Sequence, residues 1–168
     1  MLRALATNHT TVAPAAAADS NQPPVMVRPH SRGLWNRLMT DENLVFQSYG
    51  RCCAKPEFFD DFYRTFLASS PEVAEKFTHT DMVAQKQLLR AGILNLVLYV
   101  RGLPPTKLQA LAESHSRHRL DIKPHLYSYW INALLDTIRR HDPEMDEAGI
   151  RAWDRVLTKG VEVIRGGY

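Results

Sequence analysis

An all-α fold of six to eight helices is what the sequence predicts, on three observations. Apolar residues recur at helical spacing in one stretch after another of residues 40–168. No β alternation of useful length occurs, and no internal repeat. Proline and glycine breakers fall between the apolar stretches, where helices should stop. At 168 residues the chain has room for one domain with a proper core. Hydrophobic residues at 45% and charged residues at 23% give an ordinary globular mix. No long unbroken apolar run is present, so no membrane span is expected.

Residues 1–39 are rich in Ala, Thr, Pro, Asn and Ser and lack an amphipathic period, which predicts a flexible tail. They hold no apolar core of the kind a secretory signal needs, and only faintly resemble a transit peptide. GLWNRLM at 33–39 is the one stretch there with the pattern of a short amphipathic turn. Arg3, Arg28, Arg32 and Arg37 against Asp19 account for the whole net charge of +3. The body at 40–168 is therefore close to neutral, unlike a nucleic-acid binder with its basic patch on the folded domain. Cys52 and Cys53 are adjacent and make no disulfide framework; they read as packing residues of a reducing, cytoplasmic compartment.

Thr40-Asp41 is the expected start of folded structure, capping a helix that runs to Ala54. Pro56 suits the first turn of the next helix, EFFDDFYRTFLA, where Phe58, Phe59, Phe62, Tyr63 and Phe66 form one apolar face. Ser69-Ser70-Pro71 ends it and EVAEKF gives a short turn to Phe77. From about Asp81 a long helix carries Met82, Gln85, Leu88, Leu89, Ile93, Leu96, Val97 and Val100, its second half apolar nearly all round. Thr106 is placed to cap a short helix bearing His115. Leu126, Trp130, Leu134 and Ile138 mark the next helix, and Ile150, Trp153, Val156, Leu157, Val161 and Ile164 the last.

Nucleotide and hydrolase signatures are absent, and the cysteines have no partners at zinc spacing. Asp60 and Asp61 fall on the polar side of their helix, where carboxylates are usually solvated. What remains is LAESHSRHRLDIKPHLY (111–127), helical-looking until Lys123-Pro124, with His115 and His118. Leu111 shares a helix face with His115, as positions four apart do. A histidine in such a setting is more often a surface residue than a metal ligand, so the spacing alone leaves both readings open.

From about Thr40 to Tyr168 the chain resembles a globin, in particular the bacterial single-domain globins and the globin domain of flavohaemoglobins. In FYRTFLASSPEVAEKF, Tyr63, Pro71 and Phe77 match in order a ligand-facing tyrosine, the proline opening the third helix and the phenylalanine on the haem plane. LAESH matches the proximal segment, and KPHLY the opening of the next-to-last helix. The resemblance implies a globin fold around a buried haem (iron protoporphyrin IX), with His115 ligating the iron and His118 as the alternative. One neutral imidazole leaves the sixth position open to a small ligand. Phe77, Met82, Leu89, Leu111 and Tyr127 would line the haem, and the Ser114 hydroxyl or a backbone carbonyl could take the other ring N–H of His115. His118, Arg117 or Arg119 could pair with propionates. Donors from Tyr63 and Gln85, with Gln87 as runner-up, would slow the loss of O₂.

Two departures from the flavohaemoglobin pattern matter. The corner between His115 and Lys123 is longer. The place on the last helix where the family carries a glutamate against the proximal histidine falls near Tyr168, which argues against peroxidase-like activation. The expected function is therefore reversible binding of O₂, and also of NO and CO, for oxygen binding, storage or transport. An NO dioxygenase served by an external reductase is the alternative, since no flavin or nicotinamide domain is expected in the chain; a gas sensor is the weakest reading. A monomer or homodimer is expected.

Overall fold

The computed structural model describes residues 39–168. The tail expected over 1–39 and the turn expected over 33–39 thus lie, Met39 apart, outside the described residues. Seven helices and no strand are found among the described residues: α1 (Asp41–Cys53), α2 (Phe58–Ala68), α3 (Pro71–Lys76), α4 (Met82–Val100), α5 (Thr106–His115), α6 (Leu126–His141) and α7 (Glu147–Arg165). None of them is long and apolar enough to cross a membrane.

Most helices start where a short polar side chain can satisfy free backbone N–H groups. Thr40 accepts from the Asn43 N–H, Ser70 from Glu72 with Pro71 just inside α3, Asp81 from Val83 and Ala84, and Asp146 from Gly149. Two starts differ from the sequence expectation. Pro105, and not Thr106, sits at the cap position of α5, without any side-chain bond. Pro56 lies outside α2, which follows a turn closed by the Phe58 N–H on the Lys55 carbonyl. α5 also stops earlier than expected, at His115, because Ser116 turns to extended backbone.

α7 is the spine, packing against α1, α4, α5 and α6, while α2 packs on α3 and α6. Ile150, Trp153, Val156, Leu157, Val161 and Ile164 recur along its buried face as the apolar spacing predicts. Trp153 is fully buried and donates its indole N–H to the buried Ser48 Oγ of α1 at 2.9 Å. Beside it Arg51 forks onto the buried Asp142 carboxylate at 2.9 and 2.8 Å. Burial pushes the Asp142 carboxyl up, yet hydrogen bonds from Arg51 and Ser48 together hold it below the usual carboxylate range. The pair locks α1 to the turn before α7.

On the other side, Asp60 and Asp61 are more engaged than solvated side chains. Asp60 meets Lys86 of α4 at 2.6 Å, and Asp61 meets His141 of α6 at 2.7 Å and Arg64 at 2.8 Å. α4 buries only one face, through Leu89, Ile93, Leu96 and Val97, and leaves Leu88 65% exposed. Leu88 lies in the first half of the helix; in its second half residues 92–100 are all buried or half-buried, as the apolar pattern predicts.

α4 packs tightly on α7 at Gly160. A methyl added there would stand 2.2 Å from Leu96 Cδ2, and Leu96 is itself 2% exposed, with little room to turn away. Overpacking of this kind costs about 1–3 kcal/mol. Gly160→Val should lower stability by that amount in urea unfolding, and combined with Leu96→Ala it should cost less than the sum of the two single changes; strict additivity would show that the two do not meet.

Candidate functional site

His115 is the last residue of α5 and is half-buried. Its Nδ1 lies 3.1 Å from the Tyr127 hydroxyl, and the two rings lie nearly parallel, 28° apart with centroids at 6.1 Å. The Ser114 hydroxyl donates instead to the Leu111 carbonyl at 2.8 Å, so the small hydroxyl beside the histidine is occupied by its own helix. Tyr127 is buried on the first turn of α6 and its hydroxyl is pushed up to about 12 by burial, so it stays a neutral phenol. Burial lowers the His115 pKa, which favours neutral imidazole. Nε2 has no hydrogen-bond partner among the described residues. Among the described residues no buried side-chain nitrogen or oxygen is left unpaired, so this nitrogen is reached from outside. The result is a neutral imidazole held by one nitrogen and presenting the other.

A second group forms around Tyr63, buried on the inner face of α2. Phe77, at the end of α3, sets its ring edgewise on Tyr63 and on Phe66, with centroids 5.8 Å apart in both cases. The Tyr63 hydroxyl donates to the Gln85 backbone carbonyl at 3.4 Å, long for an O–H···O bond and easily exchanged for a better acceptor. Burial pushes this hydroxyl too up to about 12, so it remains a donor at neutral pH. Gln85 is half-buried on the side of α4 that meets Tyr63. Gln87 is exposed and lines a groove of about 690 Å³ between α1 and α4, with Tyr49 and Arg90, away from both groups. Lys86 and Arg90, awkward neighbours for an apolar helix, are both engaged with α2: Lys86 with Asp60, and Arg90 over the Phe59 ring at 5.9 Å.

Leu89 is buried, while Met82, Leu111 and Phe77 are half-buried against the core. His118 is exposed on the turn after α5 and is not brought to either group. Arg119 pairs with Glu113 at 3.0 Å, and Arg117 lies over the Tyr168 ring at 5.0 Å. No hydrogen bond or ring contact joins the Tyr63 group directly to His115 among the described residues. What connects them is a set of polar contacts from α3 that sequence reasoning missed. Glu72 meets Lys123 at 3.0 Å and His125 at 2.8 Å, and Lys76 donates to the Leu120 and Asp121 carbonyls. Apart from opposite charge, nothing in the sequence marks these pairs.

A bare divalent ion has no cage here: among the described residues no cluster of three or more His, Cys, Asp and Glu side chains is present. The site offers one imidazole beside half-buried apolar surface, which suits a metal that brings its other ligands with it.

Residues 60–164 match the Globin family model. The chain is also similar to a protein from Pseudomonas aeruginosa PAO1 whose crystal structure is described as structurally highly homologous to a human haemoglobin. Identity is 54% over 77% of this chain and 98% of that one, with a TM-score of 0.76. No curated protein matches.

The lowered His115 pKa has a signed consequence. Between the ordinary histidine value near 6.5 and the lower folded value, the unfolded chain takes up a proton that the folded chain refuses. Stability contributed by this group is full above that window and falls as pH drops through it. In a comparison of urea midpoints across the acid range, His115→Phe should show a shallower acid slope than wild type; equal slopes would mean that His115 titrates normally.

Proposed function

This chain belongs to the globin family, a family of haem-binding proteins, and from that premise we propose that it binds haem through His115 Nε2 and takes up O₂, NO and CO. The observation that carries the reading is His115 itself, neutral through burial, tied at Nδ1 and free at Nε2. Haem iron with a single imidazole ligand supplies an open position for a diatomic gas. The donor set fits that group. In the neutral tautomer with its proton on Nδ1, His115 donates to the Tyr127 oxygen, which fixes the ring's orientation and leaves the Nε2 lone pair outward.

Phe77, Met82, Leu89, Leu111 and Tyr127 supply apolar surface from three helices and the end of α3, and would keep water from a bound haem. Tyr63, whose long bond to the Gln85 carbonyl is a weak one, is the donor available to a gas ligand, with the Gln85 side chain beside it. Propionates at the rim would be met by His118 and Arg117, both exposed just after α5. Residues 40–168 form the globin domain in this reading.

Reversible binding is favoured over oxygen activation by what faces Nδ1. A neutral phenol takes that hydrogen bond, whereas an anionic carboxylate would push more electron density onto the imidazole. Tyr168, where the family carries its glutamate, donates to Asp121 at 2.9 Å instead. Storage or transport of O₂ follows. NO dioxygenation is the second reading, supported by the Tyr63 donor and requiring a separate reductase.

His115→Ala should abolish the pentacoordinate ferrous haem spectrum, with partial return on adding free imidazole; a spectrum unchanged by the substitution would move the ligand to His118. Hydrogen bonds to charged partners contribute about 1.5–3 kcal/mol, so Tyr63→Phe should release O₂ roughly ten to a hundred times faster in stopped flow. An unaltered release rate would remove Tyr63 from this role.

A further inference from the structure

α5 ends at His115, and its last carbonyls need partners before the chain can leave. They find them in the residues that follow. The Ile122 N–H donates to the His115 carbonyl at 3.0 Å, and the Leu120 N–H to the Ser114 carbonyl at 3.2 Å. The chain can double back this way only because Asp121 takes a left-handed conformation, φ +48, alone among the described non-glycine residues. That conformation is strained for a residue with a side chain, though aspartate and asparagine tolerate it better than most.

Three separate parts of the fold hold Asp121 there. Its N–H donates to the Ser116 carbonyl at 3.0 Å, at the end of α5. Its carboxylate accepts from the Tyr168 hydroxyl at 2.9 Å. Its carbonyl accepts from Lys76 Nζ at 2.9 Å, and Lys76 also holds the Leu120 carbonyl at 3.2 Å. Tyr168 is in turn fixed, its ring under the Arg117 guanidinium and Gly167 so close to Ala112 of α5 that a methyl there would lie 2.8 Å from the alanine Cβ.

We propose that Asp121 is a positioning residue for His115, braced from one side by Lys76 of α3 and from the other by Tyr168. The brace sets where the α5 terminus lies and hence how the His115 ring meets Tyr127. It rests on the reading of His115 as haem ligand only for its use, since the geometry concerns the imidazole with or without iron. Lys76 directly precedes Phe77, so the same contact also fixes the distance between the Tyr63 group and His115.

Asp121 variants in the full chain separate the two parts of this role. Asp121→Asn keeps both the left-handed preference and an acceptor for Tyr168, and should behave like wild type. Asp121→Gly keeps the turn but loses the acceptor, Tyr168→Phe loses the donor of the same bond, and Lys76→Met removes the brace from the other side. Asp121→Ala loses both turn preference and acceptor. Exchange of the Ile122 amide should rise about tenfold in Asp121→Ala, the scale of a lost left-handed preference, and by less in the other three. The iron–histidine stretching band of the ferrous protein should shift or broaden in the same order. Wild-type exchange and an unmoved band in both Asp121→Ala and Lys76→Met would overturn the proposal. If wild type shows no iron–histidine band, the ligand reading fails, while Ile122 exchange and the His115–Tyr127 ring cross-peaks still decide whether Asp121 positions the imidazole.

Discussion

An imidazole on the last residue of a ten-residue helix has no fixed direction unless something outside that helix holds it. The site depends on meeting this constraint. Tyr127 holds the ring from α6, through one hydrogen bond and a nearly parallel stack. Leu111 sits one turn behind, and Ile122 returns to hold the backbone. Burial keeps both partners neutral, so neither ring carries a charge that would draw water between them. A histidine at the same point of a solvated helix end would titrate normally and wander among rotamers.

The rest of the fold can be understood as what keeps α5 and α6 at that spacing. α7 touches both, and its own place is set at two points far from the site. At one, Trp153 with Ser48 and Arg51 with Asp142 pin α1 and the α6–α7 turn together. A buried ion pair of this sort is weak ground for a stability claim, because desolvation opposes the Coulomb gain. Its directional fork serves registry better. At the other, Gly160 allows α4 to approach until Leu96 fills the gap, and the helix bearing Gln85 and Leu89 is thereby seated against the spine.

What could be read from the sequence was what repeats. The 3.6-residue spacing of Phe58, Phe62 and Phe66, or of Trp153, Leu157 and Val161, follows from a helix lying on one core, and the structure buries those residues. Caps at Thr40, Ser70, Asp81 and Asp146 are local and equally visible. His115 stood out through its leucine and through the ordered landmarks upstream. The corner was not legible beyond its length. A left-handed aspartate has no period, and Lys76 donates to the Leu120 and Asp121 carbonyls across more than forty residues of chain, where a backbone acceptor leaves no mark in the sequence. Ser114 illustrates the same limit from the other side. Its hydroxyl was within reach of the histidine by spacing, but a helical serine can always return to the carbonyl one turn back, and here it does.

The longer corner and the missing glutamate, which entered as two separate departures, turn out to be one arrangement. Tyr168, near which the resemblance to flavohaemoglobins led a glutamate to be expected, turns its hydroxyl to Asp121. Asp121 receives it where the chain turns back through a left-handed conformation. The carboxylate in this part of the fold therefore binds the corner and leaves the histidine to a phenol. An imidazole that meets a neutral phenol receives less electron density than one that meets a carboxylate would. The same corner is tied through Lys76 to the residue before Phe77. An aromatic wall on one side and an imidazole on the other thus share one short run of backbone contacts, and neither can move far without the other.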